Sequence, residues 1–463
     1  MWERFTHYGM RAILVLFMVA AVGQGGFGIK DQTASSIYGL FVASCYLLSL
    51  LGGWVADRLI GPQRAVICGA VLIVAGNALL AFASPRVFFV GLTVIAFGVG
   101  LLKPNASVLV GQLYPEGGAR RDSGFSLFYM GINVGALSGA FLVPVCAARF
   151  GWRFGFVLPA IGMALGLVQF LLTRRRLGQP MAAMNLRLRS WLPVMALLAA
   201  VALIAALATA GRVSIDAEAV AVASSWAMGL LAAAYFAYLL FFAGLSAVER
   251  RRVYVMIALF IAGTMYYAGQ EQTATSLTLF AERYTDRNIF GWQIPAGVFQ
   301  SVSSVYILTL APLFSALWIA LDHRGRDPSI PVKFALGLIL MGAGFLVMYF
   351  ASQPVLAGHK AAPTWLVACY GVQMCGDLCL GPVALSSMTK LAAPRVVGQV
   401  MGMWFLAVAL GNDLAGQFAT LYDVNNVASM PALFLKMFAW GALGGVALLI
   451  ARPYLERLMV GVR

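Results

Sequence analysis

The 463-residue chain is 61% hydrophobic and only 11% charged, whereas soluble proteins are roughly 45–50% apolar and about 25% charged. This composition excludes a water-soluble globule and predicts a protein that lies in a bilayer. The formal net charge of +15 would suggest a nucleic-acid partner in a soluble protein. Here the basic residues lie mostly in short segments between apolar runs, so we predict no nucleic-acid partner and attribute the excess to membrane topology.

Enzyme and metal chemistry find no support among the motifs. The six cysteines lie in or beside apolar stretches without a CxxC pair, and the chain has three histidines, which argues against disulfides and metal sites. The sequence contains no HExxH, no GxSxG and no Ser/His pair in a suitable motif. We therefore predict no metal, no catalytic residues and no enzyme.

Transmembrane helices are the main feature of the chain. A helix that crosses the hydrocarbon core needs about 20 mostly apolar residues. Fourteen such runs centre on residues 5–22, 36–60, 64–83, 87–113, 123–147, 152–173, 191–210, 219–244, 253–281, 294–321, 332–351, 364–391, 398–421 and 432–451. They are far longer than the strands of a transmembrane β-barrel and lack its alternation of period two. We predict an all-α polytopic membrane protein with 14 transmembrane helices.

The loops differ in charge between the two sides of the membrane. If the amino terminus is cytoplasmic, the loops on that side carry 20 Lys and Arg residues and the opposite loops carry 8. The positive-inside rule then places both termini in the cytoplasm, which agrees with the even number of runs. We expect a bacterial inner membrane.

The runs are grouped as six, two and six. This grouping predicts an N-terminal six-helix bundle over 1–173, a basic linker with two inserted transmembrane helices over 174–249, and a C-terminal six-helix bundle over 250–463. The inserted helices are rich in Ala and Leu and lack the intramembrane charges of both flanking groups. We expect them to pack at the periphery, and ordinary membership of the bundle is the alternative.

A short loop motif occurs in both halves. Residues 52–64 (GGWVADRLIGPQR) follow the second run, and residues 322–326 (DHRGR) occupy the same place in the second group of six. Any short cytoplasmic loop can carry Asp, Arg and Gly, so the echo alone is weak. The first copy resembles the signature loop of the major facilitator superfamily, which implies the major facilitator fold of two six-helix bundles.

Seven charged residues are predicted to lie at membrane depth. They are Glu3, Arg4, Arg11, Lys103, Glu271, Asp377 and Asp413. An ionised side chain at mid-membrane costs at least about 2.5–3.5 kcal/mol on insertion scales, so such residues usually face a cavity or a partner. Arg4, Tyr8 and Arg11 share one face of the first helix through their i, i+4, i+7 spacing. Asp413 follows Asn412 near the outer end of its run, and we expect it at a solvated helix terminus.

The charge distribution suits a ligand whose positive and negative ends are separated. Arg11 and Lys103 are suited to a carboxylate, and Asp377 or Glu271 to an ammonium group, so the set predicts a zwitterion. The alternative is that the charges only neutralise one another as buried pairs that hold the halves together. Buried ion pairs are poor stabilisers, so this alternative does not explain all seven.

The alternative that buried charges only neutralise one another applies best to Glu3 and Arg4. As neighbours on one helix, these two are expected to find their partners elsewhere. Among the tyrosines on the charged helices, we predict that Tyr8 and Tyr46 line a cavity. For Tyr38, Tyr266 and Tyr267, the sequence does not distinguish a cavity lining from the interfacial aromatic belt.

Five stretches carry a resemblance to a known family. They are residues 2–11 (WERFTHYGMR), 100–105 (GLLKPN), 128–135 (FYMGINVG), 270–272 (QEQ) and 376–382 (GDLCLGP). The first is similar to the ExxERFxYYG motif of the proton-dependent oligopeptide transporter family, and the third to its FYxxINxG signature. In the first stretch, His7 replaces the first Tyr of the ExxERFxYYG motif. In the last stretch, Asp377 occupies a position where Glu is more usual. Fourteen spans with a two-helix insertion resemble the bacterial members.

The resemblance implies a function and a set of roles. The chain would couple uptake of di- and tripeptides to protons by alternating access, as a monomer in the lipid bilayer and without a cofactor other than the proton gradient. By the resemblance, Glu3, Arg4 and Glu271 would couple protons. The substrate-binding residues would be Tyr8, Arg11, Tyr46, Lys103, Asn133, Tyr267, Asp377 and Trp404.

Other solutes and other classes of protein are the alternatives to this function. The nearest alternative is a proton-coupled carrier of another small anionic or zwitterionic solute, such as nitrate or amino-acid derivatives. Glu271 and Asp377 disfavour a pure anion carrier, and a drug or sugar facilitator would gain nothing from the charged set. A channel would need a pore loop or rings of like charge, which the single-copy mixed charges do not provide.

Overall fold

The chain is almost entirely helical. The computed structural model describes residues 1–82, 84–113, 118–174, 188–209, 216–393, 396–421 and 427–459. Within these ranges, twelve helices are long and apolar enough to cross a membrane. The predicted all-α polytopic architecture is confirmed. Most of the predicted linker 174–190 lies outside the described residues.

Seven helices come first in the chain. They are α1 (Trp2–Val19), α2 (Asp31–Val55), α3 (Pro62–Leu80), α4 (Pro85–Gln112), α5 (Gly118–Phe150), α6 (Trp152–Thr173) and α7 (Leu188–Thr209). A π-helical turn, Ala56–Ile60, extends α2. Gly61 then adopts a φ of +79°, and Pro62 begins α3. A left-handed glycine followed by proline at a helix start gives the sharp reversal of a short loop.

The remaining helices are interrupted by short 3₁₀ turns and one hairpin. They are α8 (Ala217–Phe241), α9 (Ala247–Gln270), α10 (Ser276–Tyr284), α11 (Gln300–His323), α12 (Ile330–Leu356), α13 (Thr364–Leu391), α14 (Val397–Ala419) and α15 (Met430–Met459). The 3₁₀ turn Glu271–Ala274 separates α9 from α10. Strands β1 (Asn288–Ile289) and β2 (Trp292–Gln293) pair antiparallel. The predicted run 253–281 lies within one candidate membrane span, Ala247–Tyr284, and the helix is interrupted at the most polar segment of that span.

The contacts divide the chain into two compact units. Unit 1 comprises Met1–Gly28 and Ser44–Val220, and unit 2 comprises Ile29–Ala43 and Ala221–Arg463. The first half of α2 thus groups with unit 2 and its second half with unit 1, while α7 and α8 are assigned to different units. These boundaries differ from those drawn from the sequence, whose division at 173 and 249 stays a prediction.

Unit 1 is packed through glycines that let helix backbones approach closely. A Cβ on Gly139 of α5 would lie 2.2 Å from the carbonyl oxygen of Phe5 on α1. A Cβ on Gly52 of α2 would lie 2.1 Å from the carbonyl oxygen of Gly100 on α4. Because apolar burial gives no preference for protein over lipid, such close van der Waals packing drives helix association in membranes.

Unit 2 holds the first half of α2 by both packing and charge. A Cβ on Gly416 of α14 would lie 2.7 Å from the carbonyl oxygen of Ser35. Arg283 Nη2 donates a hydrogen bond to Asp31 Oδ1 at 2.7 Å, and Arg283 Nη1 pairs with the other carboxylate oxygen. A two-pronged guanidinium–carboxylate pair fixes orientation as well as distance. The start of α2 is therefore attached to the end of α10.

Candidate functional site

The first two turns of α1 carry an ion pair. Glu3 Oε2 accepts from Arg4 Nε at 2.6 Å, and both side chains are largely buried. The expectation that these neighbours find separate partners is wrong, because the long Arg side chain turns back to the carboxylate beside it. Their mutual neutralisation lowers the cost of two charges at membrane depth.

Lys103 lies beside this pair on α4. Its ammonium nitrogen is 3.6 Å from the centre of the Tyr46 ring on α2, which is the geometry of a cation–π contact. The charges of Arg4 and Glu3 also act on Lys103. The structure thus brings Glu3, Arg4, Tyr46 and Lys103 together within unit 1, and we call these four residues the α1–α4 cluster.

The predicted polar face of α1 extends one turn beyond the cluster. Tyr8 interacts with Arg4, and the guanidinium carbon of Arg11 lies 5.6 Å from the centre of the Tyr8 ring. Arg11 is buried. The i, i+4, i+7 spacing of these three residues therefore places them in sequence along one wall, as the helical periodicity requires.

Asn133 lies on α5 and is used differently from the other predicted residues of unit 1. Its side-chain nitrogen donates to the carbonyl oxygen of Tyr129, one turn earlier, at 3.0 Å. Asn133 is buried. The side-chain nitrogen of Asn133 is therefore bonded to the backbone of its own helix.

Glu271 occupies the break between α9 and α10 in unit 2. Its side chain is buried, and the Tyr38 hydroxyl donates to Glu271 Oε2 at 3.0 Å. Tyr38 is fully buried on the first half of α2. Sequence reasoning left Tyr38 undecided between cavity and interface, and the structure shows it as the partner of the predicted coupling acid. Its position on a helix whose first half is bound to unit 2 could not be deduced from spacing.

The break at Glu271 is stabilised by hydrogen bonds from its own polar side chains. Gln272 Nε2 donates to the carbonyl oxygen of Ala415 on α14 at 2.8 Å. Ser276 Oγ donates to Gln272 Oε1 at 2.6 Å, and Thr278 Oγ1 donates to the carbonyl oxygen of Thr273 at 2.7 Å. Interrupted helices occur at membrane depth only where such groups replace the lost backbone bonds. These partners explain why the QEQT segment is polar.

Asp377 on α13 accepts hydrogen bonds from neutral donors. The Tyr266 hydroxyl lies 3.1 Å and Gln270 Nε2 lies 3.4 Å from Asp377 Oδ1. Tyr266 is fully buried, so it belongs to this cluster and not to an interfacial belt. We call Tyr38, Tyr266, Gln270, Glu271 and Asp377 the α9–α13 cluster.

Tyr267 and Trp404 form an aromatic pair in unit 2. Their ring centres are 6.2 Å apart in an edge-to-face arrangement. Trp404 is 2% exposed, and a Cβ on Gly263 would lie 2.6 Å from its ring. Trp404 therefore fills a space that only glycine leaves open on α9, and it shapes the wall that carries Tyr267.

Comparison with known proteins identifies the family. Residues 63–435 match the sequence model of the POT family. The chain belongs to the POT family. It is 39% identical over its full length, and over 92% of the relative, to the peptide transporter YePEPT of Yersinia enterocolitica. It is 34% identical over its full length, and over 95% of the relative, to a di-/tripeptide transporter of Lactococcus lactis.

Solved structures of POT-family proteins share the fold. A crystal structure of a peptide transporter POT in complex with sulfate matches with a TM-score of 0.91 at 37% identity, over 99% of this chain and 94% of that chain. A POT-family transporter in complex with 5-aminolevulinic acid matches with a TM-score of 0.88 at 31% identity, over 98% and 94% of the two chains. These matches confirm the predicted fold class, and the chain is a multi-pass membrane transporter.

One prediction about a charged residue of this POT-family chain is wrong. Asp413 is completely buried and does not lie at a solvated helix end. Its Oδ2 atom is hydrogen-bonded to the hydroxyls of Ser224 and Ser225 on α8. The position of Asp413 along the chain suggested the outer end of α14. Within unit 2, however, the inserted helix α8 covers Asp413.

Proposed function

We propose that this chain takes up di- and tripeptides together with protons across the cytoplasmic membrane by alternating access. The observation that carries the proposal is that each unit contains a charged cluster of its own kind. The α1–α4 cluster contains two cations and one acid, and the α9–α13 cluster contains two acids held by neutral donors. A peptide has one carboxylate and one ammonium group, so it matches both. The names of the Yersinia and Lactococcus relatives support peptides as the substrate class.

In the proposed binding mode, each end of the peptide meets groups of opposite charge. Arg11 and Lys103 bind the peptide carboxylate, and Asp377, with the side-chain amide of Asn133, binds the amino terminus. The aromatic residues of the proposed substrate-binding set form its walls: Tyr8, Tyr46, Tyr267 and Trp404. Binding energy here comes from charge-assisted hydrogen bonds, which are about twice as strong as neutral ones.

Glu271 is the proposed proton carrier, with Glu3 and Arg4 as a linked pair that responds to the occupied site. Tyr38 suits this role because a hydroxyl both donates and accepts hydrogen bonds. It donates to Glu271 Oε2 when the acid is ionised and accepts from it when the acid is protonated. The acid can therefore change its protonation state without losing its partner.

The remaining parts of the proposal concern the setting of the transporter. The chain acts as a monomeric carrier and not as an enzyme, and the proton gradient drives it without a cofactor. The membrane is a bacterial inner membrane with both termini in the cytoplasm. The excess of 20 basic loop residues over 8 on the opposite side supports this orientation.

The direct test is uptake of a labelled dipeptide into vesicles that contain the purified protein. With the outside acidic, peptide is expected to accumulate inside above its external concentration, and an ionophore that collapses the pH gradient is expected to abolish accumulation. Vesicles without protein serve as the control. Equal internal and external peptide concentrations under the gradient would contradict proton coupling.

Amino-acid derivatives are the second candidate class of substrate. The structural match to a POT-family transporter in complex with 5-aminolevulinic acid favours this class. This compound has a carboxylate and an amine, as a dipeptide does, but no peptide bond. Competition of unlabelled 5-aminolevulinic acid against dipeptide uptake distinguishes the two. Stronger competition by this compound than by an unlabelled dipeptide would make the amino-acid derivative the preferred substrate.

A further inference from the structure

A polar cluster joins the inserted helix α8 to α14 within unit 2. Ser225 Oγ lies 2.8 Å from Asp413 Oδ2, and Ser224 Oγ contacts the same oxygen. Gln417, one turn after Asp413, directs its side-chain nitrogen to Ser225 Oγ at 2.7 Å and to the carbonyl oxygen of Ala221 at 3.1 Å. We call Ser224, Ser225, Asp413 and Gln417 the α8–α14 cluster. It shares no residue with either cluster of the proposed peptide site.

The cluster lies on the one face of α8 that is buried in unit 2. Besides the two serines, this face consists of Ala221, Met228, Ala232, Phe236 and Leu239. The opposite face is open, since Trp226 and Leu230 are 71% and 67% exposed. A second polar contact joins the same two helices further along, where the Tyr235 hydroxyl donates to Gln399 Oε1 at 3.0 Å. Asp413 lies six residues, or roughly 9 Å, before the end of α14.

Asp413 has no cationic partner among the residues that the structure describes. Its hydrogen bonds come only from the two serines, and it forms no ion pair there. The described elements packed against α14 carry these charged groups: Glu271 on the 3₁₀ turn, Asp377 and Lys390 on α13, residues 249–252 at the start of α9, Glu218 at the start of α8 and Asp31 at the start of α2. Glu271 and Asp377 have their own partners. A carboxylate that is buried without a counter-ion is strongly disfavoured.

Counting donors and acceptors shows that the cluster can accommodate a protonated Asp413. Ser224 Oγ lies within hydrogen-bonding distance of both Asp413 Oδ2 and the carbonyl oxygen of Ala221, the latter at 2.9 Å. One hydroxyl has one proton, so Ser224 cannot donate to both. If Asp413 is protonated on Oδ2, it donates to Ser224, which donates to Ala221, while Gln417 donates to Ser225 and Ser225 donates to Oδ2. Every donor of the cluster then has an acceptor.

The surroundings of the second oxygen of Asp413 favour the protonated state. Asp413 Oδ1 is buried and has no hydrogen-bond donor among the described residues. In a carboxylate this oxygen would carry about half of a negative charge without a partner, and leaving a charged acceptor unsatisfied is the costliest case of a missing hydrogen bond. In a neutral acid it is a carbonyl oxygen, for which a missing donor costs less.

We propose that Asp413 is a proton-binding site in which a neutral carboxylic acid fastens the inserted helix α8 to α14. The bound proton is held by the structure and is distinct from the proton that drives transport. The inserted helix α8 is in this way attached to α14 by a directional hydrogen-bond relay, from Asp413 through Ser224 to the backbone of Ala221.

Infrared spectroscopy of the full-length protein in lipid at neutral pH tests the protonation state. The difference spectrum between wild type and Asp413→Asn is expected to show the loss of one C=O stretching band of a protonated carboxyl group, shifted in heavy water. Glu282→Gln, at an exposed acid of α10 that is paired with Arg287, is the matched control and is expected to lose carboxylate bands. Loss of carboxylate bands in Asp413→Asn as well would overturn the proposal.

Two further measurements test the relay and the separation from transport. Ser224→Ala removes the acceptor of the proton, so it is expected to shift the carboxyl band of Asp413 without abolishing it. An unchanged band would contradict the relay. Asp413→Asn keeps a donor to Ser224 and is expected to retain concentrative uptake within about twofold to threefold of wild type. Loss of accumulation in a variant that still exchanges substrate would instead make Asp413 a carrier of the transported proton.

Discussion

The two charged clusters hold their charges by different means. In the α1–α4 cluster, Glu3 is paired directly with Arg4, and Lys103 lies over an aromatic ring. In the α9–α13 cluster, Glu271 and Asp377 accept hydrogen bonds from hydroxyl and amide groups. Ion pairs and cation–π contacts favour one fixed charge state, whereas neutral donors such as hydroxyls can serve both states of an acid. This difference agrees with the proposed roles of Lys103 in binding a carboxylate and of Glu271 in carrying a proton.

The largest effect is expected at the cation of the first cluster. Lys103→Ala removes the ammonium group from Tyr46 and from the Glu3–Arg4 pair, and we expect proton-driven accumulation of dipeptide to be abolished. Accumulation under a pH gradient is the measurement, and Lys390→Ala, at an exposed lysine near the end of α13, is the control. Near-normal concentrative uptake by Lys103→Ala would remove this lysine from the proposed coupling and binding machinery.

The acid of the second cluster is expected to separate coupling from binding. Glu271→Gln keeps the size and polarity of the protonated acid but cannot release a proton. We expect loss of accumulation, measurable peptide counterflow at equal pH, and only moderately changed affinity. Several-fold accumulation by this variant in response to external acid would show that Glu271 is not the essential carrier. Loss of both binding and counterflow would instead assign Glu271 to the peptide ammonium.

A smaller and more specific effect is expected at Arg11. Arg11→Ala should weaken binding of a free dipeptide by about ten- to a hundredfold, because a hydrogen bond to a charged group is worth about 1.5–3 kcal/mol. The same dipeptide with an amidated carboxylate should lose much less affinity. Calorimetry with both ligands is the measurement, and Arg149→Ala, at the exposed end of α5, is the control. An equal loss for the two ligands would make Arg11 a structural residue.

The smallest effect is expected at Tyr38. Tyr38→Phe removes only the hydroxyl that donates to Glu271, so a loss of about 1 kcal/mol should lower the initial rate of proton-driven uptake by about fivefold. Counterflow at equal pH should change less than that. Tyr349→Phe on α12 is the matched control, because it removes a hydroxyl outside both clusters. If the two variants behave alike, the hydrogen bond from Tyr38 does not contribute to coupling.

Much of the candidate site was accessible from local sequence. Helical periodicity predicts that Arg4, Tyr8 and Arg11 share one face. The mid-membrane charged residues are recognisable as candidate site residues because each is costly in lipid. The pairing of Glu3 with Arg4 was not accessible in the same way. It depends on the rotamer that a long arginine side chain adopts among its neighbours, which sequence spacing does not specify.

Asp413 shows how the same sequence signal led to a wrong conclusion. Its place near the end of a run indicated solvent, but the two serines that cover it lie 189 and 188 residues earlier in the chain. Ser224 and Ser225 carried no signal of their own, because serine is common in apolar transmembrane helices where it bonds to its own backbone. Only the packing of α8 on α14 distinguishes this acid from a solvated one.

The sequence by itself determined the helical membrane architecture, the family and the charged residues of the site. These properties depend on the cost of placing each residue in lipid and on motifs contained in single helices, and both are local to the chain. The tertiary structure decided which partner each polar group has. Tyr38 meets Glu271 across 233 residues, and α2 is divided between the two units. A buried polar group must be satisfied by whatever lies within about 3 Å in space, and that neighbour is set by helix packing rather than by the order of residues.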